Sequence, residues 1–359
     1  MQKRDIMVRQ VSRTFALSIE QLPPLLRDAV SVAYLMFRIS DGIEDHEAMP
    51  ATRKIALLEE WAAVLEGRAP AAGLAGRVAD LDPSDPEVEV VRETPLILDW
   101  LRALPAPFQE PIVAHVHATT CGMARWQAHG PYVEDEAALD DYMHEVAGRV
   151  GYLVTDLFAL YSPAIRERRE YLMPLSRECG LALQTVNVVR GIRKDYERGW
   201  VFVPKDAAKE AAAVPLTFYR KLGLTRETLL DPQTEPKALA VVSLLADKAD
   251  RHLEHGLRFI TAFPRSEYSL RLAVIWPFLF AARTLALSRN NPNVLRSEAK
   301  MTRAEIGRIV VESRLLGWSN RWLARAYARL AGPPPPPPPP PAKKPAAPPP
   351  PPPPRATPP

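Results

Sequence analysis

The sequence predicts an all-α protein with one helical domain over residues 1–331. Three observations carry this. Apolar residues recur at spacings of three and four along nearly the whole chain, the period of a half-buried helix. No alternating apolar–polar run and no hairpin signal stands out. Hydrophobic residues make up 47% of the 359-residue chain, enough to fill a large core.

The first helix is expected over 4–20. Pro23 and Pro24 break it, and Pro24 can open the next one, because proline suits the first helical turn. That second helix, 25–44, is strongly apolar and ends in Ser-Asp-Gly-Ile-Glu-Asp45. Residues 68–87 read as a loop or a short broken helix, and helices follow at 88–103 and 107–129. Ala147, Gly148 and Gly151 then form a face almost without side chains. That face suits either close helix packing or a gap in which a substrate lies against backbone. Tyr142, two turns earlier, can point a phenol into such a gap. A long helix covers 165–196, and 199–204 reads as an extended exit from it. The last helices are expected at 234–262, 266–288 and 303–330. From Pro333 the composition collapses into a stretch holding 19 of the 39 prolines. The segment 332–359 is therefore a polyproline II tail that buries no core. It suits a linker or a ligand for a proline-binding partner.

The formal net charge is +4, and Lys343, Lys344 and Arg355 in the tail supply three of those charges, leaving +1 for the rest. The basic balance is compatible with an anionic substrate or an anionic membrane surface, and equally with ordinary surface lysines and arginines. No nucleic-acid partner is expected. Two distant cysteines, Cys121 and Cys179, form no disulfide framework, which fits a reducing cytoplasm. The N-terminus lacks the apolar core of a signal peptide. The longest clean apolar run, 272–282, is short of the roughly 20 residues a membrane span needs, so peripheral membrane contact is the form expected of any membrane association. Seven histidines without a His-x-x-x-His pair argue against zinc.

Two stretches carry the chemistry. Asp41 and Asp45 are four apart, so their carboxylates leave one helical face a turn apart. Gln184, Asn187, Gly191 and Asp195 lie at i, i+3, i+7 and i+11, again on one face. Facing each other across a bundle, the two would offer carboxylate oxygens to Mg²⁺ from opposite walls. Mg²⁺ is held by one or two carboxylates together with phosphate oxygens, so the task indicated is ionisation of a diphosphate. Arg38, one turn before Asp41, can pair with it or with a phosphate. A solvated helix end would account for the acidic cluster alone. Lys300 and Arg303 are either phosphate ligands or solvated cations. Gly191 stands where a second aspartate would complete the second face.

The chain resembles the squalene/phytoene synthase family over roughly residues 8–305, and more the squalene synthase branch. The resemblance rests on Ser12-Arg-Thr-Phe15, on Tyr34-Leu-Met-Phe-Arg-Ile-Ser-Asp-Gly-Ile-Glu-Asp45, and on Tyr142-x-x-x-Val-Ala-Gly-x-Val-Gly151. It continues in Gly180-Leu-Ala-Leu-Gln-x-x-Asn-Val-Val-Arg190 running on to Asp195, in Phe202-Val-Pro204, and in Asn290-Asn-Pro-Asn-Val-Leu-Arg-Ser-Glu-Ala-Lys-Met. It implies an isoprenoid synthase-type helical bundle around a central cavity. It further implies head-to-head condensation of two farnesyl diphosphates through presqualene diphosphate, then reduction by NADPH to squalene. On that pattern Asp41, Glu44, Asp45 and Asp195 would hold Mg²⁺. Ser12, Arg13, Arg38, Gln184, Asn187 and Arg190 would contact the substrate. Tyr142 would assist proton removal or steer the cation, and Asn187, Lys300 and Arg303 would meet the nucleotide.

The sequence departs from the pattern at Gly191, Lys194, Trp200 and Ala273, around the second wall and the reductive half. One expectation is that Arg190, Arg193 or Lys194 holds the second diphosphate directly. Another is an earlier stop at presqualene diphosphate or a different prenyl coupling, with Glu145 as a replacement carboxylate. The remaining alternative is a non-catalytic paralogue recruited through its tail.

Overall fold

The computed structural model describes residues 3–204, 224–225 and 227–332. The tail from Pro333 onward therefore lies outside the described residues. Among those described there is no strand, only an isolated parallel bridge between Tyr132 and Val201. The helices are α1 (Lys3–Val11), α2 (Arg13–Ile19), α3 (Pro24–Asp45), α4 (Ala51–Leu65), α5 (Ala71–Gly76), α6 (Pro86–Arg92), α7 (Thr94–Arg102) and α8 (Ala106–His129). After them come α9 (Glu136–Met143), a π-turn (His144–Gly148), α10 (Arg149–Tyr161), α11 (Pro163–Arg166), α12 (Arg169–Glu197), α13 (Glu235–Thr261), α14 (Tyr268–Ser288), α15 (Arg303–Leu316) and α16 (Asn320–Ala331).

Three expected helices are divided within their length, each for a local reason, and the 165–196 helix is interrupted at 167–168 near its start. The first is cut at Ser12, whose side chain accepts the Phe15 N–H and caps α2. The 88–103 helix is cut before Thr94-Pro95, because proline cannot donate within a continuing helix. The last is cut at Gly317–Ser319, where the Gly317 carbonyl is taken by Arg271.

α3 is buried along most of its length, with Leu26, Ala29, Val32, Leu35, Met36, Ile39 and Ile43 inaccessible to solvent. α12 packs along α13 and against α10 and α14. The α10–α12 approach is backbone to backbone. A Cβ at Gly151 would collide with the Ser176 carbonyl, and one at Gly180 with the Ala147 carbonyl. The small-residue face thus serves close packing, and Ala147 and Gly151 also line the cavity described below. α14 is long and apolar enough to cross a membrane, but it is largely enclosed by other helices.

Arg271, at 0% exposure, is the clamp of the C-terminal half. Its Nη1 donates to the carbonyls of Ile260 (2.8 Å) and Phe263 (3.0 Å), and its Nη2 to Gly317 O (3.2 Å) and Asn320 Oδ1 (2.8 Å). One guanidinium thus satisfies the last turn of α13 and the break between α15 and α16. Arg271→Leu strands these buried acceptors. It is expected to lower unfolding free energy by about 3 kcal/mol or more in a denaturant titration.

Candidate active site

α3 and α12 line a cavity of about 490 Å³, together with α2, α10 and α14. Along both helices the lining changes character in step. On α3 it runs from Val30, Ala33 and Phe37 to Arg38, Asp41, Glu44 and Asp45. On α12 it runs from Ser176, Cys179 and Leu183 to Gln184, Asn187, Arg190, Lys194, Asp195 and Arg198. The stretch from Val30 to Asp45 alone covers roughly 22 Å at 1.5 Å per residue. Leu153, Val154 and Leu157 of α10, and Ala273, Val274 and Pro277 of α14, complete the apolar part. The cavity is therefore greasy over most of its length and charged at one end.

At the charged end the two walls meet at Arg198, the C-cap of α12. Its Nη2 lies 2.5 Å from Asp195 Oδ1, and its Nη1 pairs with Asp45 Oδ1. One guanidinium thus ties the two acidic walls together. Local geometry puts it there. Gly199 takes φ 84°, the left-handed region open to glycine, and Trp200 N–H bonds back to Asp195 O at 2.8 Å. The turn stops α12 just after Arg198 and sends Val201 past Tyr132. It also stacks Phe202 on Tyr142, ring centroids 4.4 Å apart, with Trp126 edge-on at 5.5 Å. Tyr142 and Phe202 both line the cavity.

On the first wall Arg38 donates to Asp41 at 3.0 Å and pairs with Glu87 of α6. Burial opposes its charge, but Asp41 and Glu87 outweigh that and hold it protonated. Burial raises Asp41 to about 6, with Arg38 lowering it and Asp45 raising it. Burial raises Glu44 to about 8, and the neighbouring Asp45 and Asp41 push it the same way. Asp195 is raised to about 6 by burial, against the lowering effect of Arg198. Burial, with Glu44 and Asp45 nearby, lifts the Tyr142 phenol well above its usual range.

This donor set suits a hard divalent cation. Repelling carboxylates on two walls would be relieved by positive charge between them. No group of three metal-ligating side chains converges among the described residues. The arrangement fits Mg²⁺ that shares its coordination with a substrate's phosphate oxygens, not a cage made by protein alone.

Of the substrate contacts expected, Arg38, Gln184, Asn187 and Arg190 reach the cavity. Ser12 does not. It caps α2 and hydrogen-bonds Tyr34, which does line the cavity. Arg13 begins α2, but its side chain lies outside the described residues. Lys300 and Arg303 stand off the lining: Lys300 is exposed and paired with Glu298 at 2.8 Å, and Arg303 is exposed at the start of α15. Only Asn187 of the three nucleotide contacts is at the site, hydrogen-bonded to Gln184. Glu145 is turned away, held by Arg149 at 2.6 Å and by Arg125, so it replaces no wall carboxylate. Arg193 is occupied by Glu197 at 2.6 Å. Arg190 and Lys194 form no ion pair among the described residues, and both face the cavity. A Cβ at Gly191 would meet only Asp195 Oδ2, at 3.7 Å, so the missing aspartate is a chemical departure and not a steric one.

Sequence reasoning assigned no role to Arg198, Glu87, Glu298 or Trp126, and it named Trp200 and Phe202 without placing them against Tyr142. Arg198 lies three residues after Asp195, the spacing of an ion pair on one helix, and was open to detection once the helix is extended by one turn.

A family model of squalene/phytoene synthases matches residues 8–305, and the chain belongs to that family. A lycopaoctaene synthase of Botryococcus braunii is 30% identical over 312 residues, covering 85% of this chain and 64% of the relative. The squalene synthase LSS of the same organism is 28% identical, covering 85% and 61%. The squalene synthase ERG9 of Candida albicans is also 28% identical, covering 85% and 65%. The chain thus spans less than two thirds of the length of these relatives. Among solved structures, TcSQS in complex with the ligand BPH1237 superimposes with a TM-score of 0.76 at 24% identity, over 91% of this chain and 90% of that one. A dehydrosqualene synthase complex gives 0.59 at 18% identity, over 87% and 94%. These structures share the fold.

The raised Glu44 has a measurable consequence without divalent cation. A carboxyl whose folded pKa exceeds its unfolded value stabilises the fold at low pH and loses that contribution as pH rises through the folded value. Between about pH 4.5 and 8 the wild-type chain should lose stability relative to Glu44→Gln. Chemical denaturation in EDTA across that range tests this: parallel curves would show that Glu44 is not perturbed.

Proposed function

We propose that the protein is a prenyltransferase that joins two farnesyl diphosphates head to head. The proposed product of that step is presqualene diphosphate, and reduction to squalene completes the reaction. The observation that supports this best is the cavity graded from apolar to charged along both α3 and α12. A prenyl diphosphate has the same polarity profile, with an anion at one end and a hydrocarbon chain behind it.

In this reading the anionic heads sit at the charged end. Asp41 and Asp45 on one wall, with Glu44 beside them, and Asp195 on the other would hold Mg²⁺, which when bound supplies the positive charge that lets an allylic diphosphate leave. Arg38 offers its guanidinium to phosphate oxygens from the first wall, and Arg190 and Lys194 do so from the second. Arg190 and Lys194 form no ion pair among the described residues, although Glu298 lies near both, and this supports direct cationic binding in place of the aspartate absent at 191. Arg198 neutralises Asp45 and Asp195 in the free protein and is placed to turn to an incoming diphosphate. The apolar lining keeps water from the cation formed on ionisation, and the Tyr142–Phe202 stack offers it a ring face. NADPH would supply the hydride of the second half. Asn187 alone does not define a nucleotide site, so no further role is assigned to residues in that half.

A second reading, a different coupling product from the same first chemistry, is supported by the similarity to a lycopaoctaene synthase. The experiment is incubation of the purified chain with farnesyl diphosphate and Mg²⁺, with and without NADPH, and identification of products by mass spectrometry. Squalene formed only with NADPH is the expected result. Presqualene diphosphate or a hydroxylated C30 product in both reactions would confine the protein to the first half. No product at all would shift the reading to another substrate, or to a non-catalytic partner recruited through its tail.

Two variants test the second wall. Gly191→Asp should leave turnover unchanged or lower it, since it adds a like charge beside Asp195; a large rise would show that the missing aspartate limits the enzyme. Arg198→Gln should raise KM for the diphosphate about tenfold or more, as loss of a charge-assisted contact does.

A further inference from the structure

We propose that the outer face of α15, with the first residue pair beyond it, is a docking surface for an anionic lipid bilayer. Eight large apolar side chains are exposed among the described residues, and four fall within one short stretch: Val311 (58%), Leu315 (68%), Leu316 (42%) and Trp318 (49%). Val311 and Leu315 lie at i and i+4 on one face of α15, and Trp318, just past the helix end, donates its indole N–H to the Leu315 carbonyl at 3.1 Å. Such a concentration of apolar surface marks a contact site.

Charge around the patch selects the partner. α15 and α16 carry six arginines and only two acids. Both acids are already neutralised, Glu305 by Arg283 at 2.8 Å and Glu312 by Arg329 at 2.5 Å. Arg308, one turn before Val311 on α15, and Arg325 of the adjoining α16 are exposed, Arg265 lies over the Trp318 ring at 6.0 Å, and Arg314 covers Trp276 at 5.4 Å. Exposed leucine and tryptophan among arginines are the makings of an interfacial helix, with side chains for the acyl boundary and cations for anionic headgroups. The proline tail is a poor cover for this face, because its only charges are Lys343, Lys344 and Arg355. A second copy would bring the same arginines together.

The position of the patch strengthens the inference. Gly317 packs against Leu272 and Ile275 of α14, and Arg314 reaches Gln21 just past α2 at 3.4 Å. The same two segments supply Ile19, Leu22, Ala273 and Val274 to the apolar part of the cavity. The surface therefore flanks the greasy end of the cavity, away from the charged end. A wholly apolar product would leave beside the phase that dissolves it. That last link rests on the proposed reaction, whereas the lipid contact does not.

The test is co-sedimentation of the full chain, without substrate, with vesicles of phosphatidylcholine alone or of phosphatidylcholine mixed with phosphatidylglycerol. Binding to the anionic vesicles is expected, weakening with salt. The pair Leu315→Ser and Trp318→Ser, and separately Arg308→Glu with Arg325→Glu, should each weaken it about tenfold or more. Unchanged thermal unfolding of the variants would assign the loss to the surface. A chain that stays in the supernatant with anionic vesicles, or variants that bind as the wild type does, would overturn the proposal. So would a concentration-dependent dimer in sedimentation velocity that Leu315→Ser dissociates, since a second copy would then cover the face. Because substrate is absent, the outcome is independent of whether the condensation reading holds.

Discussion

The contact on which the site depends is the guanidinium of Arg198 set between Asp45 and Asp195. α3 and α12 each carry carboxylates into the charged end of the cavity, and burial together with mutual repulsion raises Asp41, Glu44 and Asp195. Charges so placed would drive the walls apart unless something positive stood between them. Arg198 does this in the free protein, while Arg38 does it within the first wall with Glu87. A buried ion network of this kind contributes little net stability, because desolvation offsets attraction. Its value is positional: it holds two walls at a separation that suits cations and phosphates.

The rest of the architecture serves the contrast between the two ends. Apolar side chains from seven helices, α2, α3, α8, α10, α12, α13 and α14, line the cavity, and α10 and α12 approach so closely that glycines are needed where they cross. A reactive cation and a polar leaving group require opposite surroundings. Two helices whose lining changes character along their length provide both for the reaction proposed above.

Much of this was legible in the sequence. The spacing of Asp41 and Asp45, and of Gln184, Asn187 and Asp195, placed them on single faces, and the helical period gave the fold class. What was not legible depends on tertiary approach. The partner of Arg198 on the far wall is 153 residues away in the chain. Glu87 is 49 residues from Arg38. Ser12 offered a hydroxyl in a motif, and only the break between α1 and α2 shows that it is used as a cap. Lys300 and Arg303 had the right charge but follow a turn that carries them off the lining. The division between α15 and α16 follows from a buried arginine that sits 46 residues earlier.

The π-turn between α9 and α10 has a consequence of its own. Within it the Arg149 N–H reaches back to the His144 carbonyl, one residue further than in an α-helix, and the Glu145 carbonyl is taken by the Thr119 hydroxyl at 2.9 Å. Such a turn accommodates one extra residue in an otherwise continuous helix. It sets the rotation of everything after it: deleting that residue would turn α10 by roughly 100° about its axis. Gly151 would then swing away from Ser176, and bulkier neighbours would meet the α12 backbone where only hydrogen fits. The phase between Tyr142 and the glycine crossing is thus fixed by the length of a five-residue segment.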